Sequence, residues 1–380
     1  MTAYFKPDDC RLDEFASICG QTLTPDDAPL ATEIAKNVPI YDMALLRSTL
    51  TDPARRTALM SEWAEGLRTK SGIIVLRNAY AETSAIDAAS GIFDMIIEQE
   101  AGSGGADHFA AAGNNARIWN SLQKLCLAAP EVFGRYFGNA AVAAVSEAWL
   151  GPNYQMTSQI NLVRPGGAAQ LAHRDYHLGF QTAEVSTTYP AHVHDLSPAL
   201  TLQGAIAHTD MSVESGPTKL LPFSQAYRAG YAAWRRDDFR AYFEDNYIQL
   251  PLKKGDAVFF NPALFHAAGA NSSKDVQRMV NLLQVSSAFG RAMESIDRHA
   301  MCTALYPVLA DLNLDSFSQD AAIAACAEGY SFPTNLDRDP PSGGLAPKTQ
   351  ADLFREAIDN RASAKDFEAA LDALAARQTA

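Results

Sequence analysis

The sequence predicts a mainly β fold, a sandwich or a barrel, with helical segments on both sides of it. Between about residues 150 and 290 the chain consists of short strand-like runs separated by turn sequences such as Arg164-Pro165-Gly166-Gly167. Many short strands joined by regular turns are typical of sandwiches and barrels. The predicted strands are QMTSQINLV, ALTLQGAIAHTDM, TKLLPF, YIQLPL, DAVFFN and MVNLLQVSSAF.

The two ends of the chain have the periodicity of helices. Residues 1–70 are predicted as helices with loops, and one helix is expected to begin at Asp52-Pro53. The run Ile73–Leu76 is rich in β-branched residues and predicts a buried strand, after which helical periodicity returns. We therefore expect an N-terminal helical extension over 1–70, a β domain over 71–300 and a C-terminal helical extension over 301–380. The glycine- and alanine-rich stretch 101–116 is expected to be a loop, either a lid or a surface connection.

Composition limits the classes of function. The formal net charge is -13, which argues against binding nucleic acid or an anionic membrane through a broad basic face. The five cysteines form no CxxC pair, so neither a disulfide framework nor a zinc knuckle is expected, and a reducing cytoplasm suits them. The N-terminus lacks the pattern of a signal peptide, and no apolar run is long enough to span a membrane. We expect a cytoplasmic protein that acts on a small molecule, with its oligomeric state left open.

The segment His173-Arg174-Asp175 holds the first candidate metal ligands. Side chains at positions i and i+2 of a strand point to the same face, so His173 and Asp175 can be aimed at one point. A third ligand has to come from elsewhere, and His266 is the best candidate because it follows a turn and an apolar strand. Two imidazoles and one carboxylate on one face of a metal leave further coordination sites open, the arrangement used for non-haem iron(II) oxygen chemistry.

Other polar residues in these regions support more than one interpretation. His177 is either a pocket residue or a surface residue. His192 and His194 have ligand-like spacing but lie in a proline-containing loop, so we expect them to be pocket or surface residues. Arg117 and Trp119 are equally compatible with a pocket wall and with packing of a helix against the β domain.

Six stretches in order resemble the phytanoyl-CoA dioxygenase family of iron- and 2-oxoglutarate-dependent oxygenases. The resemblance covers roughly residues 71–290 and is carried by GIIVLRNAY, QINLVRPGG, HRD, TDMSVESGPTKLLPFSQ, KKGDAVFFNPALFHAAGANSS and QRMVNLLQV. Two positions depart from the family pattern. Phe223-Ser224-Gln225 replaces Gly-Ser-His, and Ala268 stands where many members have a small hydroxyl residue.

The resemblance implies a double-stranded β-helix, the cupin-like jelly roll of the family, with helices supporting one sheet. It implies that His173, Asp175 and His266 bind iron(II), and that 2-oxoglutarate and O2 are co-substrates. Arg278, twelve residues beyond His266, would bind the distal carboxylate of 2-oxoglutarate, with Arg291 as the alternative. Thr157 and Asn161 match positions on the preceding strand that line the co-substrate or metal pocket.

The predicted reaction is hydroxylation of a small molecule with release of succinate and CO2. Related halogenases replace the carboxylate ligand with a small residue, so an intact Asp175 favours oxygen transfer, although desaturation, ring closure and epoxidation use the same triad. A cupin-like isomerase or a non-catalytic metal-binding or ligand-binding jelly roll is the alternative, and it predicts no dependence on 2-oxoglutarate.

Overall fold

The computed structural model describes residues 3–100, 115–341 and 343–379. The strands are β1 Glu33–Ala35, β2 Val38–Asp42, β3 Ile73–Arg77, β4 Asn115–Ile118, β5 Gln155–Val163, β6 Thr201–Ala207, β7 Lys219–Leu220, β8 Ala257–Phe260, β9 His266–Ala267 and β10 Arg278–Ser286. The α-helices are α1 Leu12–Cys19, α2 Met43–Leu46, α3 Pro53–Arg68, α4 Ser84–Glu100, α5 Ser121–Ala128, α6 Pro130–Phe137, α7 Ala140–Leu150, α8 Ala183–Ser186, α9 Ala191–Leu196, α10 Gly230–Ala233, α11 Asp237–Asn246, α12 Arg298–Leu309, α13 Ser316–Cys326, α14 Gln350–Asp359 and α15 Ala364–Gln378.

Eight strands form one large sheet in the order β1-β2-β3-β8-β6-β10-β5-β4. Its two longest strands are the antiparallel pair β5 and β10, in which Arg278 lies opposite Val163 and Ser286 opposite Gln155. The predicted strand QMTSQINLV coincides with β5, and the predicted strands DAVFFN and MVNLLQVSSAF contain β8 and most of β10. Their β-branched and aromatic residues suit a sheet that is buried on both faces.

The alternation of side chains divides this sheet into two faces with different surroundings. Residues such as Ile160, Leu283 and Phe259 belong to a large apolar core that they share with the helices. The neighbouring positions in the same strands, among them Val280 and Val258, form a separate apolar cluster on the opposite face. Arg278 has the same parity as Val280, so it lies on this second face.

A smaller sheet covers the second face. It consists of β7 and β9, extended by single bridges between His173 and His266 and between Leu220 and Ile248. A further bridge joins Met211 to Leu252. Two facing sheets of this kind, with helices on the outer face of the larger one, form the predicted double-stranded β-helix.

The helices pack against the large sheet and against one another. Helix α3 begins after Asp52, whose side chain accepts a hydrogen bond from the Arg55 amide, as the sequence predicts. The C-terminal helices α14 and α15 bury Phe354, Phe367 and Leu371 against α12, so this predicted amphipathic stripe is core packing. Among the described residues, every helix is too short or too polar to cross a lipid bilayer.

Three segments differ from the sequence-based expectation. The region 1–70 also contains β1 and β2, and β2 pairs in parallel with β3. Both strands are short, and the partner of β2 in β3 lies more than thirty residues away, so local periodicity does not predict this pairing. Arg117 lies on the edge strand β4 and not on a helix. The segment 168–175 is extended only at the His173 bridge and otherwise forms a loop. The boundaries at 70 and 300 stay predictions.

We expect Phe367→Ala to lower the free energy of unfolding by about 3–5 kcal/mol, because it leaves a cavity in a well-packed apolar cluster. The Phe367 ring lies 4.1 Å from the Tyr306 ring and 4.9 Å from the Phe354 ring, centroid to centroid. Chemical denaturation followed by circular dichroism measures the change. Phe289→Ala is the matched control, because Phe289 is 78% exposed. A variant whose C-terminal helices melt separately, while the rest keeps its stability, would contradict the shared core.

Candidate metal centre

Two distant segments are held together by backbone hydrogen bonds at the centre of the small sheet. The amides of His173 and His266 each donate to the other residue's carbonyl, at 3.0 and 3.1 Å. The amide of Asp175 donates to the carbonyl of Pro262 at 3.1 Å. This pairing brings together three side chains from two segments that are widely separated in the sequence.

The three predicted ligands converge. The Nε2 atom of His173 lies 3.6 Å from one carboxylate oxygen of Asp175, and the Nε2 atom of His266 lies 3.4 Å from the other. Potential ligand atoms of all three residues lie within 4.8 Å of one another. Two imidazole nitrogens and one carboxylate oxygen at this spacing fit a single metal ion with an open face.

Both imidazole rings are oriented by the main chain. The Nδ1 atom of His173 is hydrogen-bonded to the carbonyl of Leu171 at 2.8 Å, and Nδ1 of His266 to that of Leu264 at 2.9 Å. Because a carbonyl can only accept, each Nδ1 carries the proton and each Nε2 keeps its lone pair for a metal.

The electrostatic surroundings favour the metal-binding forms of these ligands. Burial by itself would raise the pKa of Asp175, but the two imidazoles and a hydrogen bond from Gln203 hold that pKa well below its ordinary value. The Gln203 amide nitrogen lies 2.5 Å from a carboxylate oxygen of Asp175. Burial lowers the pKa of His173. Near neutral pH the carboxylate is therefore ionised and the His173 imidazole neutral, as metal binding requires.

A cavity of about 610 Å³ opens beside the three ligands. Apolar side chains from both sheets form part of its wall, among them Val75, Leu220, Val258, Phe260 and Val280. The size is typical of small-molecule sites, in which a few polar groups orient the ligand within an apolar wall.

Arg278 lines the same cavity and is only 4% exposed. One of its terminal nitrogens donates to the carbonyls of Ser215 and Gly269, at 3.2 and 3.3 Å. Its Nε has no acceptor, and no carboxylate pairs with it among the described residues. Burial lowers the pKa of Arg278 to about 10, so the guanidinium is still charged near neutral pH. A buried cation in this position fits an anionic ligand.

The other predicted co-substrate residues occupy different positions. Asn161 is buried and lines the cavity, opposite Val280 in the β5–β10 register. Thr157 is fully buried but lies outside the cavity wall, and its hydroxyl donates to the carbonyl of Gln284 at 2.8 Å. Arg291 is also outside the cavity wall.

Arg174, the middle residue of the ligand motif, is a buried cation that sequence reasoning passed over. Its guanidinium donates to the carbonyls of Ser224 and Tyr227, at 2.6 and 2.9 Å, and lies 5.1 Å from the Tyr231 ring centroid. A side-chain β-carbon at Gly230 would lie 1.9 Å from the guanidinium carbon, so a larger residue there would displace the Arg174 side chain. Arg174 therefore attaches the segment 224–231 to the ligand motif.

Gln203 and Gln284 were also missed, although both lie on predicted strands. They face each other across β6 and β10, and both line the cavity. Gln203 donates to Asp175, whereas Gln284 accepts a hydrogen bond from the Tyr176 hydroxyl. Their alternation with apolar neighbours would have placed them on the cavity face, but only the register connects them to the metal ligands.

The remaining histidines named in the sequence analysis lie outside the cavity wall. His177 is partly buried, His192 is exposed, and His194 bonds to the carbonyl of Ser186 at 3.1 Å. His208 lies between Ser90 and Tyr136, at 2.8 and 2.7 Å, behind the large sheet. Its burial lowers its pKa to about 3, so it is a neutral core residue.

The two departures from the family pattern have local explanations. Gln225 donates to the carbonyl of Lys70 at 2.8 Å and packs over Gly72, where a β-carbon would lie 2.4 Å from the Gln225 amide oxygen. Gln225 therefore takes part in a turn contact away from the cavity. Ala268 lines the cavity, and its amide donates to the Gln170 side chain at 3.3 Å.

The predicted loop 101–116 lies mostly outside the described residues, so the prediction of a lid stays open. Immediately after it, Arg117 lines the cavity and donates to the Gln159 side chain at 2.9 Å. Its guanidinium carbon lies 5.3 Å from the centroid of the Trp119 ring. The arrangement agrees with the interpretation of Arg117 as part of a pocket wall.

We expect Gln203→Leu to weaken metal binding by about 10- to 100-fold, because it removes the hydrogen bond that orients Asp175. Titration with cobalt(II), whose visible spectrum reports coordination, measures the change in dissociation constant. Gln159→Leu is the matched control, since Gln159 lines the same cavity and bonds to Arg117 rather than to a ligand. Equal weakening in both variants would show that the Gln203 contact has no specific role.

Two dioxygenases resemble part of this chain. The dioxygenase trt7 of Aspergillus terreus is 25% identical over 139 residues, 37% of this chain and 43% of that protein. The dioxygenase andF of Emericella variicolor is 27% identical over 139 residues, 36% of this chain and 43% of that protein. The chain thus matches less than half the length of either relative.

A solved structure and a family model also match. The structure is the epimerase SnoN in complex with Fe3+, alpha ketoglutarate and nogalamycin RO, with 18% identity, a TM-score of 0.41, and coverage of 62% of this chain and 85% of that one. The model of the phytanoyl-CoA dioxygenase family matches residues 69–280, more than half of the chain. The protein therefore belongs to the phytanoyl-CoA dioxygenase family of non-haem iron(II)- and 2-oxoglutarate-dependent oxygenases.

Proposed function

We propose that this protein is an iron(II)- and 2-oxoglutarate-dependent dioxygenase that hydroxylates a small molecule and releases succinate and CO2. The observation that carries the proposal is the coexistence of two features in one cavity. One is the His173, Asp175 and His266 ligand set, and the other is the buried guanidinium of Arg278. A metal site alone would not need a second, buried cation on its wall.

The physical argument begins with the cost of burying Arg278. Removing a guanidinium from water is unfavourable unless an anion or several acceptors replace the water. The two carbonyls of Ser215 and Gly269 satisfy one terminal nitrogen and leave Nε unpaired. A carboxylate accepts from two guanidinium nitrogens at once, so the distal carboxylate of 2-oxoglutarate suits this position.

The division of roles follows from these positions. His173, Asp175 and His266 hold the iron, Arg278 anchors the far end of 2-oxoglutarate, and Asn161 contacts the co-substrate from β5. Thr157 supports the co-substrate site indirectly, through its bond to the Gln284 carbonyl. When bound, iron(II) and 2-oxoglutarate supply the activation of O2. The apolar wall keeps water away from the reacting atoms, and Gln203 holds the carboxylate ligand in place.

Asp175 supports oxygen transfer rather than halogenation. Its carboxylate would hold the coordination position that a halide needs, and the hydrogen bond from Gln203 stabilises its ionised form. Hydroxylation is the simplest outcome for a site with this ligand set.

The surroundings support a cytoplasmic enzyme with a small-molecule substrate. All five cysteines are free thiols, and the sulfur atoms of Cys302 and Cys326 lie 3.8 Å apart without forming a disulfide. Free cysteines in such proximity suit a reducing compartment. The net charge of -13 disfavours nucleic acid as a partner.

The direct test is anaerobic addition of iron(II) and 2-oxoglutarate to the metal-free protein. We expect the visible metal-to-ligand charge-transfer band of a chelated 2-oxoglutarate to develop.

We also expect Asp175→Ala to abolish substrate-dependent succinate release, whereas Asp195→Ala, which changes an exposed carboxylate paired with Arg228, leaves it unchanged. If iron binds but no band appears, the protein is a jelly-roll metalloprotein of another kind, such as a cupin-like isomerase.

A second prediction concerns Arg278. We expect Arg278→Lys to raise the KM for 2-oxoglutarate by about 10-fold or more, because a point charge cannot replace two parallel hydrogen bonds. Iron affinity should stay the same, since Arg278 is not a ligand. Steady-state kinetics and a cobalt(II) titration measure the two quantities, and Arg77→Lys, at an exposed ion pair with Glu33, is the control. An unchanged KM would remove Arg278 from the co-substrate site.

A further inference from the structure

The charges on the cavity wall do not balance. Among the described residues that line it, four are arginines and only Asp175 is a carboxylate; the arginines are Arg117, Arg174, Arg240 and Arg278. The protein as a whole carries a net charge of -13, so this local excess of positive charge opposes the overall composition. Iron(II) and the two carboxylates of 2-oxoglutarate would cancel each other, so Arg174, Arg240 and Arg278 would still outnumber Asp175 in the loaded site.

Three of these arginines already have a role. Arg174 donates to two carbonyls and lies beside two aromatic rings, and Arg278 belongs to the proposed co-substrate site. Arg117 is engaged with Gln159 and lies over Trp119. Arg240 differs, because no side chain among the described residues forms a salt bridge or a hydrogen bond with it.

Arg240 belongs to a cationic cluster around Trp234, which we call the rim group: Trp234, Arg235 and Arg240. The guanidinium carbons of Arg235 and Arg240 lie 3.9 and 5.6 Å from the Trp234 ring centroid. Burial and the neighbouring charge of Arg240 lower the pKa of Arg235, and the exposed Glu184 carboxylate offsets them only in part. An anion bound between the two guanidinium groups would relieve their repulsion.

The rim group offers unused donors. The indole Nε1 of Trp234, Nη1 of Arg235 and Nε of Arg240 are all buried, and none has an acceptor among the described residues. Three unsatisfied donors at adjacent side chains are costly to bury, and an acceptor-rich anionic group would satisfy them. Trp234 and Arg240 line the cavity, and Arg235 donates to the carbonyl of Gly179 in the loop after the metal ligands.

Apolar surface lies at the same cavity. Leu171 and Phe180 line it and are 69% and 51% exposed, an unusual position for large apolar side chains. Both belong to the segment that carries His173 and Asp175. A ligand with an apolar body would cover these side chains while its charged end meets the rim group.

We infer that the cavity takes an amphipathic small molecule with an apolar body and a carboxylate or phosphate group, and that the rim group binds this anion. Hydroxylation of that molecule rests on the proposed function, whereas its binding does not. Trp234, Arg235 and Arg240 are specificity-determining residues that position the substrate and take no part in the chemistry.

The test is isothermal titration of the metal-free protein with octanoate, octyl phosphate and octanol, which share an apolar chain and differ in charge. We expect both anions to bind at least about tenfold more tightly than octanol, because charge-assisted hydrogen bonds contribute more than a tenfold change in affinity. The relative affinities of octanoate and octyl phosphate identify which anion the rim group prefers.

Variants locate the anion. Arg240→Gln should weaken both anions about tenfold and leave octanol unchanged, whereas Arg228→Gln, at an exposed ion pair with Asp195, should change nothing. Arg278→Leu should still bind both anions more tightly than octanol. This result would show that the anionic probes do not bind at the co-substrate site. Circular dichroism checks the fold, and Trp234→Phe, which removes one donor and keeps an aromatic ring, tests the same site if Arg240→Gln does not fold.

Two results would overturn the inference. One is octanol binding as tightly as octanoate, and the other is an equal loss of affinity for all three probes in Arg240→Gln. The outcome is independent of the oxygenase proposal. If anion binding depends on Arg240 but no charge-transfer band develops, only the oxygenase proposal fails. If the band develops but anion binding does not depend on Arg240, only the present inference fails.

Discussion

The reciprocal backbone pairing of His173 with His266 is the interaction on which the site depends. It joins a loop after β5 to the strand β9, and with the bond from the Asp175 amide to the Pro262 carbonyl it brings the three ligands together. The same carbonyl-rich backbone orients both rings through Leu171 and Leu264. Main-chain hydrogen bonds therefore set the positions of the metal ligands. These bonds are stiffer than side-chain contacts and are kept when neighbouring side chains are substituted.

The large sheet makes this pairing possible by having two chemically different faces. Its outer face is fused with the helices in a continuous apolar core, which fixes the position of β5, β6 and β10. Its inner face is free to carry polar groups at intervals among apolar ones, such as Gln203, Gln284 and Arg278. Stability and function are thus assigned to alternate residues of the same strands, because successive side chains point in opposite directions.

Buried positive charge is the second constraint on the site. Arg174 is stabilised by carbonyls and aromatic rings within the protein, and it ties the segment 224–231 to the ligand motif. Arg278 also donates to two carbonyls, but no aromatic ring among the described residues packs against it, and Arg240 forms no hydrogen bond or salt bridge with a described side chain. Arg174 is therefore a structural cation. Arg278 and Arg240 instead fit anionic ligands, namely the distal carboxylate of the co-substrate and the charged group of the inferred substrate.

The strands β5, β8 and β10, the helix beginning at Pro53 and the His173, Asp175 and His266 set were predictable from local patterns and from the family resemblance. Alternation and capping are properties of neighbouring residues, so the sequence by itself determined them. The tertiary structure alone decided what depends on distant partners. This includes the pairing of β2 with β3, the bond from Gln203 to Asp175, and the rim group at the cavity, because each rests on contacts between segments that no local pattern records.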